Sequence, residues 1–136
     1  MEITFTLVQK RITPLNQTFF ALLVGLLGML TCRFFHLPTA SEYFAAHIAI
    51  IFFCLLNIVV SLAHSSFLRY TMPSFYLFIV LVAVLLLLAK FFSGISIWTL
   101  NEYRMMLIPI GIFYFMASLF SRGIRFIYEA AERGDF

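Results

Sequence analysis

Polar residues in this chain are gathered into short clusters, and between the clusters run four apolar stretches, at 16–35, 42–64, 73–92 and 100–121. Each holds about 20 residues, the length a helix needs to cross about 30 Å of hydrocarbon. Thr13-Pro14 reads as an N-cap followed by proline in the first turn, where a missing N–H is harmless. The first stretch stops before His36-Leu37-Pro38, and Ser41 is placed to cap the second, whose run 43–63 has no formal charge. Pro73 follows the polar residues His64-Ser65-Ser66 and Arg69-Tyr70-Thr71 and is expected to open the third helix, whose most aliphatic part is 79–89. Thr99 and Glu102 have the spacing of a capping box at the start of the fourth. Pro109 lies inside that helix and predicts a bend there. Helical patterning continues past Ser121 to Arg133, with Glu129 and Arg133 at the i, i+4 spacing and Gly134 as a stop. The fourth helix is therefore expected over 100–133, extending beyond the bilayer. The 1–13 segment, alternating apolar and polar at 3–8, reads as a tail too short to fold alone.

Composition carries the same message. Of 136 residues, 63% are hydrophobic and 11% charged, with a mean hydropathy of +1.04. Soluble domains carry about 25% charged residues, so this chain uses lipid as its solvent. The expected architecture is an all-α integral membrane domain: one four-transmembrane-helix bundle over 1–136, with short loops and a long, kinked C-terminal helix. The net charge of +3 comes from scattered single residues. Nucleic-acid binding is thereby disfavoured, since it needs a basic patch.

Charge placement instead sets orientation. Four spans put both termini on one side, with Lys10, Arg11, Arg69, Arg122, Arg125 and Arg133; the other side has Arg33, Lys90 and Arg104. The positive-inside rule makes both termini cytoplasmic, in a plasma or inner membrane. Lys10-Arg11 and an apolar run ending at Cys32 superficially suggest a lipoprotein signal. Leu30 and Thr31, however, do not fit the small residues such a cleavage site requires, and a retained first helix is expected.

Helix 2 bears a polar stripe. His47, Cys54 and Ser61 are spaced by seven, with Asn57 and His64 at the complementary heptad positions. Polar groups facing lipid are expensive, so this stripe should face protein or a wet path. Helix 1 offers a matching stripe of small or polar residues, Thr18, Ala21, Gly25, Gly28 and Cys32, suited to close helix contact. At the outer boundary Arg33, Glu42, Lys90, Glu102 and Arg104 are expected at one depth. They suggest an ion-pair collar, with Lys90 pairing Glu102, or a lipid-headgroup site. Beyond the last span, Arg122, Arg125, Tyr128, Glu129 and Arg133 form a candidate partner contact.

Familiar chemistries find little footing. His47 and His64 are 17 residues apart, about 25 Å along a helix, too far to share a metal or flank one haem. Cys32, His36 and His47 match no ligand spacing, and no metal or cofactor is expected. Cys32 and Cys54 should lie at different depths and not pair. All six acids, Glu2, Glu42, Glu102, Glu129, Glu132 and Asp135, fall at helix ends or in tails, which removes the central carboxylate of a proton-coupled exporter. No nucleophile has a histidine and carboxylate in evident reach. The expected function is a small non-catalytic membrane subunit that scaffolds a larger complex, with lipid and other membrane subunits as partners and a homo-oligomer as an option. An oligomeric transporter or channel with a path along helix 2 is the alternative, and a lipid-handling enzyme at the Lys90 collar the third.

Overall fold

The computed structural model describes residues 13–38, 41–63 and 67–135, and every regular element among them is helical: α1 (Pro14–Phe34), α2 (Ser41–Ala63), α3 (Phe67–Ser93), a 3-10 turn (Ile97–Thr99) and α4 (Asn101–Glu132). All four α-helices are long and apolar enough to cross a membrane. The 1–12 segment and His64 lie outside the described residues.

Local chemistry sets most of the helix ends. Thr13 is extended, at φ −96° and ψ 161°, and its hydroxyl accepts from the Asn16 N–H at 3.3 Å, with Pro14 opening the helix. At the other end of α1 the chain turns through His36 at φ 50°. The Leu37 N–H donates to the Cys32 carbonyl (3.0 Å) and the His36 N–H to Arg33 (3.3 Å). This is the Schellman closure, with histidine in the left-handed position usually held by glycine. The same closure ends α4 at Gly134 (φ 72°), where Asp135 donates to Ala130 and Gly134 to Ala131.

Two expected starts are corrected. Pro73 does not open α3, which begins six residues earlier at Phe67 and runs through the proline. In a helix of this length Pro73 removes the donor for the Arg69 carbonyl, a local loss that the remaining turns on either side outweigh. The Thr99–Glu102 capping box is not formed. The chain enters α4 from the 3-10 turn, so the Thr99 hydroxyl donates to the Ser96 carbonyl at 2.7 Å instead, and Leu100 precedes α4 with no side-chain cap.

The helices run up and down. Consequently the end of α1 and the start of α2 meet the 94–100 connection at one end, here the hairpin end, where Arg33 reaches Phe92 and Tyr43 reaches Ile95, while the end of α2 and the last turns of α4 share the other, the tail end, where Arg125 reaches Leu62. α1, α2 and α3 pack on one another, and α4 lies along α2. α4 reaches α3 through rings: Tyr114 stacks on Phe78 at 4.3 Å and 10°, and Phe75 meets Phe115 at 5.5 Å. α2 is thus the hub. The core holds Ala21 and Met29 from α1, Ala46, Ala49, Ile50 and Phe53 from α2, and Leu81, Leu85 and Ala89 from α3.

Small residues allow the close approach. A Cβ on Gly25 would come within 2.5 Å of Leu85 Cδ2 and 3.2 Å of Ala49 Cβ, and one on Gly28 within 3.1 Å of Ala45 Cβ. The expected small stripe of α1 therefore faces α2, and at Gly25 it also touches α3. Outside, α1, α3 and α4 carry large apolar side chains, among them Phe19, Phe34, Leu87, Phe91, Ile112, Met116 and Phe120, all more than half exposed. In water such a surface would be untenable.

Candidate functional site

Three groups of polar contacts tie the bundle together. The deepest joins three helices. Asn57 on α2, Ser74 on α3 and Tyr114 on α4 are all at least 97% buried. The Tyr114 hydroxyl donates to Ser74 Oγ at 3.1 Å, and the Ser74 hydroxyl donates to Asn57 Oδ1 at 2.5 Å. One lone pair and two O–H groups thus form a directed chain from α4 to α2. Cys54, one turn before Asn57, is buried and a free thiol. Ser61, one turn after it, is half-buried and returns its hydroxyl to the Ile58 carbonyl of its own helix. Ser118 and Ser121 extend the buried polar line along α4, bonded to the Tyr114 and Ala117 carbonyls.

The second group lies at the hairpin end. His47, 97% buried, has Nδ1 at 2.6 Å from the Tyr43 carbonyl oxygen and Nε2 at 3.0 Å from the Tyr103 carbonyl oxygen in the first turn of α4. The Tyr103 ring faces the imidazole at 5.7 Å. The fully buried Tyr43 donates its hydroxyl to the Ile95 carbonyl at 2.5 Å. Arg33, at the end of α1, donates to the Phe92 carbonyl in the last turn of α3, also at 2.5 Å. Helix C-termini expose unpaired carbonyls with partial negative charge, and a guanidinium there satisfies both hydrogen bonding and the helix dipole.

The third group repeats this device at the tail end. Arg125 on α4 donates through Nη1 to the Leu62 carbonyl at the end of α2 and through Nε to Glu129 Oε1, both at 2.9 Å.

These contacts redistribute the candidate residues. His47, Cys54, Asn57 and Ser61 of the α2 stripe do turn inward. The collar is not an ion-pair cluster: among the described residues the ion pairs are Arg125–Glu129 and Arg133–Asp135. Lys90, in the last turn of α3, and Glu102, in the first turn of α4, are both exposed and do not pair with each other. Arg104 instead bonds Asn101 Oδ1 at 2.7 Å and lies over the Trp98 ring at 5.8 Å. Glu42, 9% exposed, sits in the first turn of α2, where a carboxylate suits the helix dipole. In the candidate partner contact, Arg125 and Glu129 are engaged with each other and with α2, Arg133 pairs with Asp135, and Arg122 and Tyr128 are exposed. No group of three His, Cys, Asp or Glu side chains among the described residues is placed to hold a metal ion.

Sequence reasoning does not single out Ser74 or Tyr114, and it reads Tyr43 only as a ring at the outer interface, whereas Tyr43 is fully buried and bonded to Ile95. Ser74 carried a usable signal, as the last polar residue before the unbroken apolar run that begins at Phe75. The tyrosines carried none, since a ring beside lipid and a ring bonded inside a bundle look alike in one dimension. Comparison with protein-family models, with curated proteins and with solved structures returns no match.

Proposed function

We propose that this chain is a small non-catalytic integral membrane subunit whose bundle scaffolds or stabilises a larger membrane complex. The observation that carries the reading is a division of labour. The inward polar side chains of α2 are occupied in hydrogen bonds to α3, α4 and the backbone, while the outward faces present large apolar residues. A transport path or a catalytic centre needs polar groups free to change partners, whereas a scaffold needs them fixed. The bundle spans the bilayer with both termini on the cytoplasmic side. α4, at 32 residues, is about 48 Å long against about 30 Å of hydrocarbon, so its last turns project from the membrane. Pro109 bends it, and one broad face, including Ile112, Met116 and Phe120, is left to lipid or to neighbouring helices.

One feature favours an oligomeric transporter or channel as the second reading: the Tyr114–Ser74–Asn57 chain is a continuous run of exchangeable groups within the apolar interior. The two are separated by purification in mild detergent with a C-terminal tag, followed by native mass spectrometry. The scaffold reading expects a stoichiometric second polypeptide. A homo-oligomer alone, with ion or solute flux in liposomes lost in Ser74→Ala, overturns it in favour of transport.

A further inference from the structure

The three cations expected in an ion-pair collar stand at the hairpin end with no carboxylate on them. Arg33 bonds the Phe92 carbonyl, Lys90 is exposed in the turn whose carbonyl accepts the Gly94 N–H at 2.8 Å, and Arg104 lies over the Trp98 ring. All three therefore border the 94–100 connection. The acids at this end, Glu42 and Glu102, form no ion pair among the described residues. Glu102 is two residues from Arg104, about 200° round the helix, and so lies on the opposite side of α4.

Arg104 is the best prepared of the three. Its Nη2 donates to Asn101 Oδ1 at 2.7 Å, and the guanidinium carbon stands 5.8 Å from the centre of the Trp98 ring. The ring and the amide together fix the guanidinium in place. Among the described residues its Nε and Nη1 have no acceptor. A guanidinium held still with N–H groups to spare is suited to a phosphate. Exposed rings accompany the cations: Phe34 follows Arg33, Phe91 follows Lys90, and Trp98 lies under Arg104. Amphipathic and apolar rings beside basic residues are the pattern of a chain at the boundary between hydrocarbon and headgroups.

From this we infer that the hairpin end binds an anionic phospholipid, its phosphate on Arg104, with Lys90 adding charge from the end of α3 and Trp98 against the top of the acyl chain. A zwitterionic lipid brings its own cation to a place that already holds cations without carboxylates, so a headgroup of net negative charge is the one that fits. The inference rests on the proposed spanning of the bilayer and is independent of what the bundle scaffolds.

Trp98 is the only tryptophan in the chain, so the site carries its own reporter. The full chain is reconstituted in vesicles of phosphatidylcholine mixed with phosphatidylglycerol, with bromine on the upper acyl chain of one lipid or the other. Quenching of Trp98 emission, normalised to the unbrominated mixture, gives the relative affinity for each lipid. The expected result is quenching by both lipids, with a preference for phosphatidylglycerol of about fivefold or more at low salt. That preference should fall toward parity in Arg104→Gln and in about 1 M salt, fall in part in Lys90→Gln, and not fall in Glu102→Gln. Quenching by both lipids without preference overturns the site and leaves the spanning bundle standing, whereas no quenching by either removes both. Inorganic phosphate that abolishes the preference without a matching effect from the same concentration of chloride makes the ligand a soluble anion, and also overturns the proposal. If Arg104→Gln fails to fold, Lys90→Gln and the salt dependence of the unaltered chain still decide it.

Discussion

Ser74 and Asn57 are joined by a 2.5 Å hydrogen bond between α3 and α2, and the same serine oxygen accepts from Tyr114 on α4. A single hydroxyl is therefore the meeting point of three helices. Ser74→Ala removes the donor to Asn57 and the acceptor for Tyr114 together and leaves both buried. The expected loss is about 1–2 kcal/mol. Tyr114→Phe retains the stacking on Phe78 and loses one bond, about 0.6 kcal/mol. A double-mutant cycle by detergent-titration unfolding should find Ser74→Ala and Tyr114→Phe strongly non-additive, since the second change has little left to remove. Additive losses would mean that the two hydroxyls do not interact.

Glycines in this chain divide by what surrounds them. Gly25 is closed in by Leu85 and Ala49, whereas Gly111 has nothing within 4 Å of its would-be Cβ. Gly25→Val should force Leu85 and the α1–α2 contact apart, lowering stability by about 1–3 kcal/mol. Gly111→Ala should raise it by about 0.5–1 kcal/mol through helix propensity alone. Both are read as shifts in unfolding midpoint. Equal effects would contradict the placement of α1.

His36 occupies a left-handed backbone position at φ 50°, a conformation glycine adopts freely. His36→Gly should keep the closure at the end of α1 and gain about 1 kcal/mol. A loss of stability would show that the imidazole itself makes a contact that outweighs the backbone strain.

Arg125 serves two partners of unequal worth. Its ion pair with Glu129 is partly exposed, so Glu129→Ala should change stability by less than about 0.5 kcal/mol. Arg125→Ala also uncaps the Leu62 carbonyl and should lose about 1–2 kcal/mol. Lysine at 125 should recover part of the loss but not all, since it cannot span both acceptors with a planar fork. If Glu129→Ala is as damaging as Arg125→Ala, the cap on α2 is not what holds α4 at the tail end.

The parts of this fold that a one-dimensional reading captures are those governed by neighbours along the chain. Thr13-Pro14 and Gly134 mark helix ends because cap geometry is local, and the inward turn of His47, Cys54 and Asn57 follows from helical periodicity. Small residues at 18, 21, 25 and 28 likewise announce a tight seam. Features set between helices stayed hidden. Nothing in the sequence aligns Ser74 with Asn57, because that match depends on how far α3 is shifted along α2. Pro73 misled for a related reason: proline marks a helix start only when nothing sustains the turn before it. Lys90 and Glu102 both sit at helix ends beside the 94–100 connection yet stay exposed and unpaired with each other, so a shared position at helix ends overstates their pairing.

The scaffold account is tested most directly in native membranes, by placing a photoreactive amino acid in turn at Ile112, Met116 and Phe120 on the exposed face of α4, with Phe91 on α3 as the comparison site. The account predicts a covalent adduct of one defined mass with a second polypeptide at two or more of the three α4 positions. Lipid adducts alone at every position would contradict it.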